Sequence, residues 1–142
     1  MICTFFGHRD TPDGVRDLLR DILVNLIEEG AETFYLGNQG RFDDMALGIL
    51  KKLKVVYPHI RYAVVLAYMP ESTRGFSAAN TETVYPDGLE NTPPRYAIDK
   101  RNRWMLAQAD TVVTYVIHDI GGAAKYKRIA ERKRKRVINL AD

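Results

Sequence analysis

Three times along the chain, an apolar run of strand length ends at glycine and gives way to apolar residues at helical spacing. Residues 2–6 precede Gly7, residues 33–36 precede Gly37-Asn38-Gln39-Gly40, and residues 111–117 run towards Gly121-Gly122. Unbroken apolar runs suit strands buried on both faces, and strands alternating with helices across short turns require a parallel sheet with right-handed crossovers. The pattern predicts an α/β fold: a Rossmann-like, doubly wound, mostly parallel five-stranded sheet with helices on both faces. Residues 1–142 are expected to form a single domain, because 142 residues with 46% hydrophobic content suffice for one core.

The intervening helices carry their own signals. Thr11 is placed as an N-cap with Pro12 at the first helical position, and Val15, Leu18, Leu19, Ile22, Leu23, Leu26 and Ile27 follow at spacings of three and four until Gly30. Phe42, Met45, Ala46, Ile49, Leu50 and Leu53 mark a second helix whose first turn holds Asp43 and Asp44. There the helix dipole favours carboxylates, so helix stabilisation and a ligand role are both open to them. Pro58 stops that helix, and residues 61–67 read as a third strand.

Residues 68–94 break every period with Pro70, Gly75, Pro86, Gly88, Pro93 and Pro94. Such a long connection is either a lid, with Arg74, Phe76 and Tyr85 over a ligand, or a surface excursion; residues 83–85 could add a short strand. Helical spacing returns over residues 95–109, interrupted by Arg101-Asn102-Arg103. A last helix carries Ala123, Tyr126, Ile129 and Ala130 before a closing strand at residues 137–140.

The net charge of +3 is unevenly spread: residues 125–136 hold eight basic residues and one acid, and the remainder carries −4. Cations at a helix end are favoured by its dipole, so the basic segment reads as a solvated terminus and nucleic acid is not expected as a partner. No run approaches the roughly 18 apolar residues of a membrane span. Met1 leads straight into Ile2-Cys3-Thr4 without a basic leader or cleavage site, so a cytoplasmic protein with no membrane partner is expected. Cys3, the single cysteine, sits in an apolar strand and reads as an inert core thiol.

Doubly wound sheets bind ligands beyond the carboxyl ends of their strands, which places residues 7–10, 37–41 and 117–124 on one rim. Glycine there lets backbone N–H groups at a helix start approach an anion closely, and Arg9, Arg41 and Arg101 add guanidinium forks suited to phosphate. The bland alternative is that Gly121-Gly122 only turns the chain. None of the turns is a P-loop or a GxGxxG motif. His8, His59 and His118 are too scattered to suggest zinc, no Ser-His-Asp set emerges, and no cofactor is assigned.

The pieces Phe5-Phe6-Gly7-His8-Arg9, Gly37-Asn38-Gln39-Gly40-Arg41-Phe42-Asp43, residues 101–110 and Gly121-Gly122-Ala123-Ala124-Lys125 resemble the SLOG superfamily. That superfamily includes the DNA processing protein A fold, the cytokinin-activating "lonely guy" phosphoribohydrolases and small bacterial and phage proteins, the last being the nearest in motif order. The resemblance implies a Rossmann-like nucleotide-binding fold with ligand contacts at Gly7, His8, Arg9, Gly37, Asn38, Gly40, Asp43, Arg101, Asn102, Gly121 and Gly122. Arg101 and Met105 match the arginine helix of the "lonely guy" enzymes. Where those enzymes carry a threonine and two glutamates after the glycine turn, this chain has Lys125, Lys127 and Arg128.

Two functions follow. The first is binding or sensing of a nucleotide or nucleotide-derived ligand, with a homo-oligomer left open. The alternative is an N-glycosidic-bond enzyme resembling phosphoribohydrolases or nucleoside deoxyribosyltransferases, which needs Asp43, Glu71 or Glu82 to replace the missing acids. No catalytic residue is assigned. A carboxylate on the Gly121-Gly122 rim would favour the enzyme, and a rim of backbone and arginine alone would favour the binder.

Overall fold

The computed structural model describes residues 1–68 and 81–142. β1 (Ile2–Gly7) leads to α1 (Arg16–Glu28), β2 (Thr33–Leu36) to α2 (Arg41–Val56), and β3 (Arg61–Val65) to β4 (Glu82–Val84). α3 (Pro94–Gln108), β5 (Thr111–Tyr115), α4 (Gly122–Arg132) and β6 (Arg136–Asn139) complete the order. The described strands form one parallel sheet in the order β4-β3-β2-β1-β5-β6. The order reverses between β1 and β5, so the switch point of this doubly wound sheet lies where Gly7 pairs with Tyr115.

The sheet has six strands rather than the expected five. Glu82, Thr83 and Val84 pair in parallel with Ala63, Val64 and Val65. The possible short strand at residues 83–85 forms as Glu82–Val84, and pairing with β3 supplies what periodicity over three residues could not.

The two faces have separate cores because successive strand residues point to opposite sides. Phe5 and Phe34 pack with Leu19, Leu23 and Leu26 of α1 and Phe42, Met45 and Leu50 of α2. Phe6, Val65 and Val112 pack with Met105 and Leu106 of α3 and Tyr126 and Ile129 of α4. Cys3 is fully buried, and burial pushes its thiol up to about 12, which keeps it protonated and unreactive at neutral pH. Among the described residues no helix is long and apolar enough to cross a membrane.

One local expectation fails. α1 starts at Arg16 after a 3-10 turn at Asp13–Val15, and the Thr11 hydroxyl donates to the His8 carbonyl instead of capping a helix. In α3, Arg101 and Asn102 are buried while Tyr96 is exposed, the reverse of what their polarity suggests.

Candidate ligand-binding site

Parallel pairing of β2, β1 and β5 sets the three glycine turns on the carboxyl edge of the sheet. Two of these glycines hold conformations that side chains rarely adopt. Gly40 (φ 93°, ψ −178°) and Gly121 (φ 100°, ψ 176°) stand immediately before α2 and α4. As caps they offer no side-chain acceptor, so the first-turn N–H groups depend on other partners. α2 has Asp43 and Asp44 in its first turn, whereas α4 has no acid there, and Gly121 and Gly122 are exposed. The positive end of α4 is therefore the one left open to an anion.

Gly7 is required by packing. A Cβ there would lie 2.2 Å from Cγ of Phe42, so glycine lets the first turn of α2 close onto the end of β1. Gly40 also lies close to Arg9, with 2.7 Å from a Cβ to the Arg9 Cα, and the Arg41 N–H donates to the Arg9 carbonyl at 3.0 Å. Arg9 in turn donates Nη2 to Gln39 Oε1 at 2.8 Å, which joins the first two turns.

Arg101 reaches this edge from α3 and is only 1% exposed. Its Nε donates to Asn102 Oδ1 at 2.7 Å, and its Nη1 donates to the Val65 carbonyl at 2.8 Å and to Asn38 Oδ1 at 3.4 Å. All three acceptors are neutral. Among the described residues no carboxylate forms an ion pair with Arg101. Burial disfavours its charge, and the nearby Asp43 only partly offsets that. Asp43 accepts the Gln39 N–H at Oδ2, 3.0 Å away. Burial raises its carboxyl to about 6 against the opposing pull of that hydrogen bond and of the Arg101 charge.

These groups line a pocket of about 650 Å³. Of the residues expected at a ligand, Gly7, His8, Arg9, Asp43, Arg101, Asn102 and Gly122 form its wall. Gly37, Asn38, Gly40 and Gly121 stand behind it: Gly37 against Asp43 and Arg101, Asn38 bonded to Arg101, Gly40 against Arg9, and Gly121 as the cap before Gly122. The wall also holds Phe5, Phe6, Ile98, Met105 and Tyr126, which periodicity assigns to strands and helix stripes. The Tyr126 ring stacks on Phe6 at 5.1 Å, and its hydroxyl donates to Asp99, which Lys125 and Arg103 also hold. The stacked pair lines the pocket while itself remaining largely buried.

His8 closes the switch point. The Ile117 N–H donates to His8 Nε2 at 2.9 Å, so the ring is neutral there, with its proton on Nδ1. Burial and the adjacent His118 ring, 5.1 Å away, hold the His8 pKa below its usual value.

Several expectations about the rim need correction. Arg41 does not face the pocket; its Nε donates to the Thr11 carbonyl at 3.2 Å and its Nη2 pairs with Asp13. Glu82 pairs with Arg61 at 2.6 Å on the exposed end of β3 and β4 and does not line the pocket. Tyr85 packs beside Ala67, Leu89 and Ala97. Glu71, Arg74 and Phe76 lie outside the described residues. The rim is not free of acid, since Asp10 and Asp43 share the pocket wall with Gly122.

No known protein-family profile matches the chain. A UPF0398 protein of Halalkalibacterium halodurans is 26% identical over 124 residues, which cover 80% of this chain and 65% of that protein. Among solved structures, DNA processing protein A from Helicobacter pylori matches 96% of this chain with a TM-score of 0.66 at 15% identity. The fold is Rossmann-like and similar to that of part of the Helicobacter protein. This chain spans 63% of the length of the Helicobacter protein, so the likeness concerns one part of it. DNA processing protein A from Helicobacter pylori binds single-stranded DNA. The expectation that set nucleic acid aside is thereby corrected: a structural neighbour binds single-stranded DNA, and reading the basic segment as a solvated helix end gives no ground for excluding that partner.

Proposed function

We propose that the rim pocket binds the phosphate-bearing unit of a nucleotide. The observation that carries this reading is the buried Arg101 guanidinium, which lines the pocket with neutral hydrogen-bond partners and no ion pair among the described residues. A buried charge that Asp43 offsets only in part is costly, and a phosphate entering the pocket supplies further counter-charge. The uncapped start of α4 adds backbone donors on the same edge, and the Phe6–Tyr126 floor offers a surface for a base.

Following the fold of DNA processing protein A, the nucleotide unit belongs either to a free nucleotide or to a single strand. Calorimetry with nucleoside monophosphates, and separately with short single-stranded oligonucleotides, tests the reading. Binding of at least one class, lost on Arg101→Ala, supports it, and absence of binding by both refutes it.

Asp43 favours a second reading, cleavage of an N-glycosidic bond. A pocket carboxyl with its pKa near 6 can exchange a proton at neutral pH, which the basic Lys127 and Arg128 cannot replace. Chromatographic detection of free base from a nucleoside monophosphate, lost on Asp43→Asn, would establish this second reading over simple binding.

A further inference from the structure

The eight basic residues between Lys125 and Arg136 are not equivalent. Lys125 pairs with Asp99 at 3.0 Å, Lys127 with Glu131 at 3.5 Å, and Arg136 with Glu29 at 2.6 Å, while Arg128 donates to the Asp119 carbonyl at 2.7 Å. The remaining four, Arg132, Lys133, Arg134 and Lys135, are consecutive and form no ion pair among the described residues. Glu131, the acid in this segment, is already taken by Lys127.

Placement gives these charges a direction. Lys125, Arg128 and Arg132 are exposed and spaced three and four residues apart, so they lie along one face of α4. That face starts beside the exposed Gly121 and Gly122 at the pocket rim. It ends about 16 Å away, the length of an 11-residue helix, at the opposite edge of the sheet.

The turn at that far end has an unexpected residue. The Lys135 N–H donates to the Ala130 carbonyl and the Arg134 N–H to the Glu131 carbonyl, both at 3.0 Å, which is the Schellman closure of a helix. Its left-handed position is held by Arg134 at φ 59°, where glycine or asparagine would be the unstrained choice. An exposed arginine thus stands at a site where it opposes stability. Helix-dipole compensation does not account for it, because Arg132 and Lys133 already supply charge at the helix end.

We propose that α4 is a track for single-stranded nucleic acid, running from the pocket along Lys125, Arg128 and Arg132 to the basic turn at residues 132–135. The inference rests on the reading that the pocket takes a nucleotide unit, and extends it to a strand with phosphates beyond that unit. No aromatic side chain of the track is available for stacking, so the contact is to backbone phosphate and independent of base sequence.

The test uses fluorescence anisotropy of a labelled oligothymidylate of about 12 nucleotides, titrated over a range of salt concentrations. Neutralising the turn with Arg132→Gln, Lys133→Gln, Arg134→Gly and Lys135→Gln together is expected to weaken binding roughly tenfold or more. It should also flatten the slope of log affinity against log salt by about 3, four single-strand contacts at about 0.7 each. Arg134→Gly alone should weaken binding while raising the melting temperature by roughly 2 to 5 °C, a combination that loss of folding cannot produce. Mononucleotide binding, measured by calorimetry, should not change in either variant, so failure of the pocket reading shows separately as no mononucleotide binding by the wild type. An oligothymidylate affinity and salt slope unchanged by the fourfold variant would overturn the track. So would no binding of the oligomer by the wild type, or loss of binding to phosphatidylserine vesicles with oligomer binding intact.

Discussion

Asp43 and Arg101 face each other across Gly37 without forming an ion pair: a Cβ on Gly37 would lie 2.9 Å from Oδ2 of Asp43 and 3.1 Å from both Cζ and Nη1 of Arg101. Opposite charges are thus held close enough to influence each other but not close enough to neutralise each other. That unfinished pairing is the basis of the proposed site.

If Arg101 is kept for a ligand, removing its charge should not harm the fold. Arg101→Met preserves volume and removes a buried cation, so relief of its desolvation cost offsets the loss of its hydrogen bonds to neutral acceptors. Urea denaturation should show stability unchanged or raised, and calorimetry should show nucleotide binding weakened by about 1.5 to 3 kcal/mol, the range for charged hydrogen bonds. A variant that unfolds yet still binds in its folded fraction would assign Arg101 a structural role.

Asp43 gives the fold a pH dependence of unusual sign for an acid. Its carboxyl is raised to about 6 from an ordinary value of 3.8, so the folded state binds the proton more tightly than the unfolded state does. Its contribution to stability is present below about pH 4 and is lost as pH rises through about 6. Urea midpoints of the wild type should therefore fall across this window more than those of Asp43→Asn. Anion binding should strengthen at pH 5 relative to pH 8, because protonation removes a negative charge from the pocket wall.

His8 behaves in the opposite sense. Its pKa is lowered in the folded state, so stability from this group is present above its ordinary value of 6.5 and is lost as pH falls below it. Protonating Nε2 breaks the bond from the Ile117 N–H. In hydrogen exchange, the Ile117 amide should exchange about tenfold faster or more in His8→Ala than in the wild type. Equal rates would show that the bond does not hold the β5–α4 loop.

Two glycines should respond oppositely to alanine. Gly7→Ala puts a methyl group into the Phe42 ring and should destabilise the protein by about 1 to 3 kcal/mol or more. Gly48 lies inside α2 with open space around its Cβ position, and Gly48→Ala should stabilise by about 0.4 to 1 kcal/mol. Thermal melts of the two variants compare them directly.

The sheet and its carboxyl edge were legible because buried parallel strands and glycine turns leave local marks. β4 was legible only as a possible short strand at residues 83–85, since the strand that forms, Glu82–Val84, acquires its character from pairing with Ala63, Val64 and Val65. Arg101 and Asn102 were placed at the ligand, but sequence polarity cannot show that α3 buries them or that Val65 and Asn38 wait with acceptors. Tyr126 and Phe6 read as core, which they are; that the same ring pair also floors a pocket depends on where α4 meets β1. Arg41 was misplaced for the converse reason, as Asp13 competes for its guanidinium from a turn that sequence assigned to a helix.

The most direct test of the site is a two-dimensional 1H–15N NMR titration with a nucleoside monophosphate. The backbone amides of Gly7, His8, Gln39, Gly122 and Ala123, together with Arg101 Nε–H, should shift along one binding curve with a single dissociation constant. Shifts confined to other surfaces, or none at saturating nucleotide, would contradict a nucleotide site at this pocket.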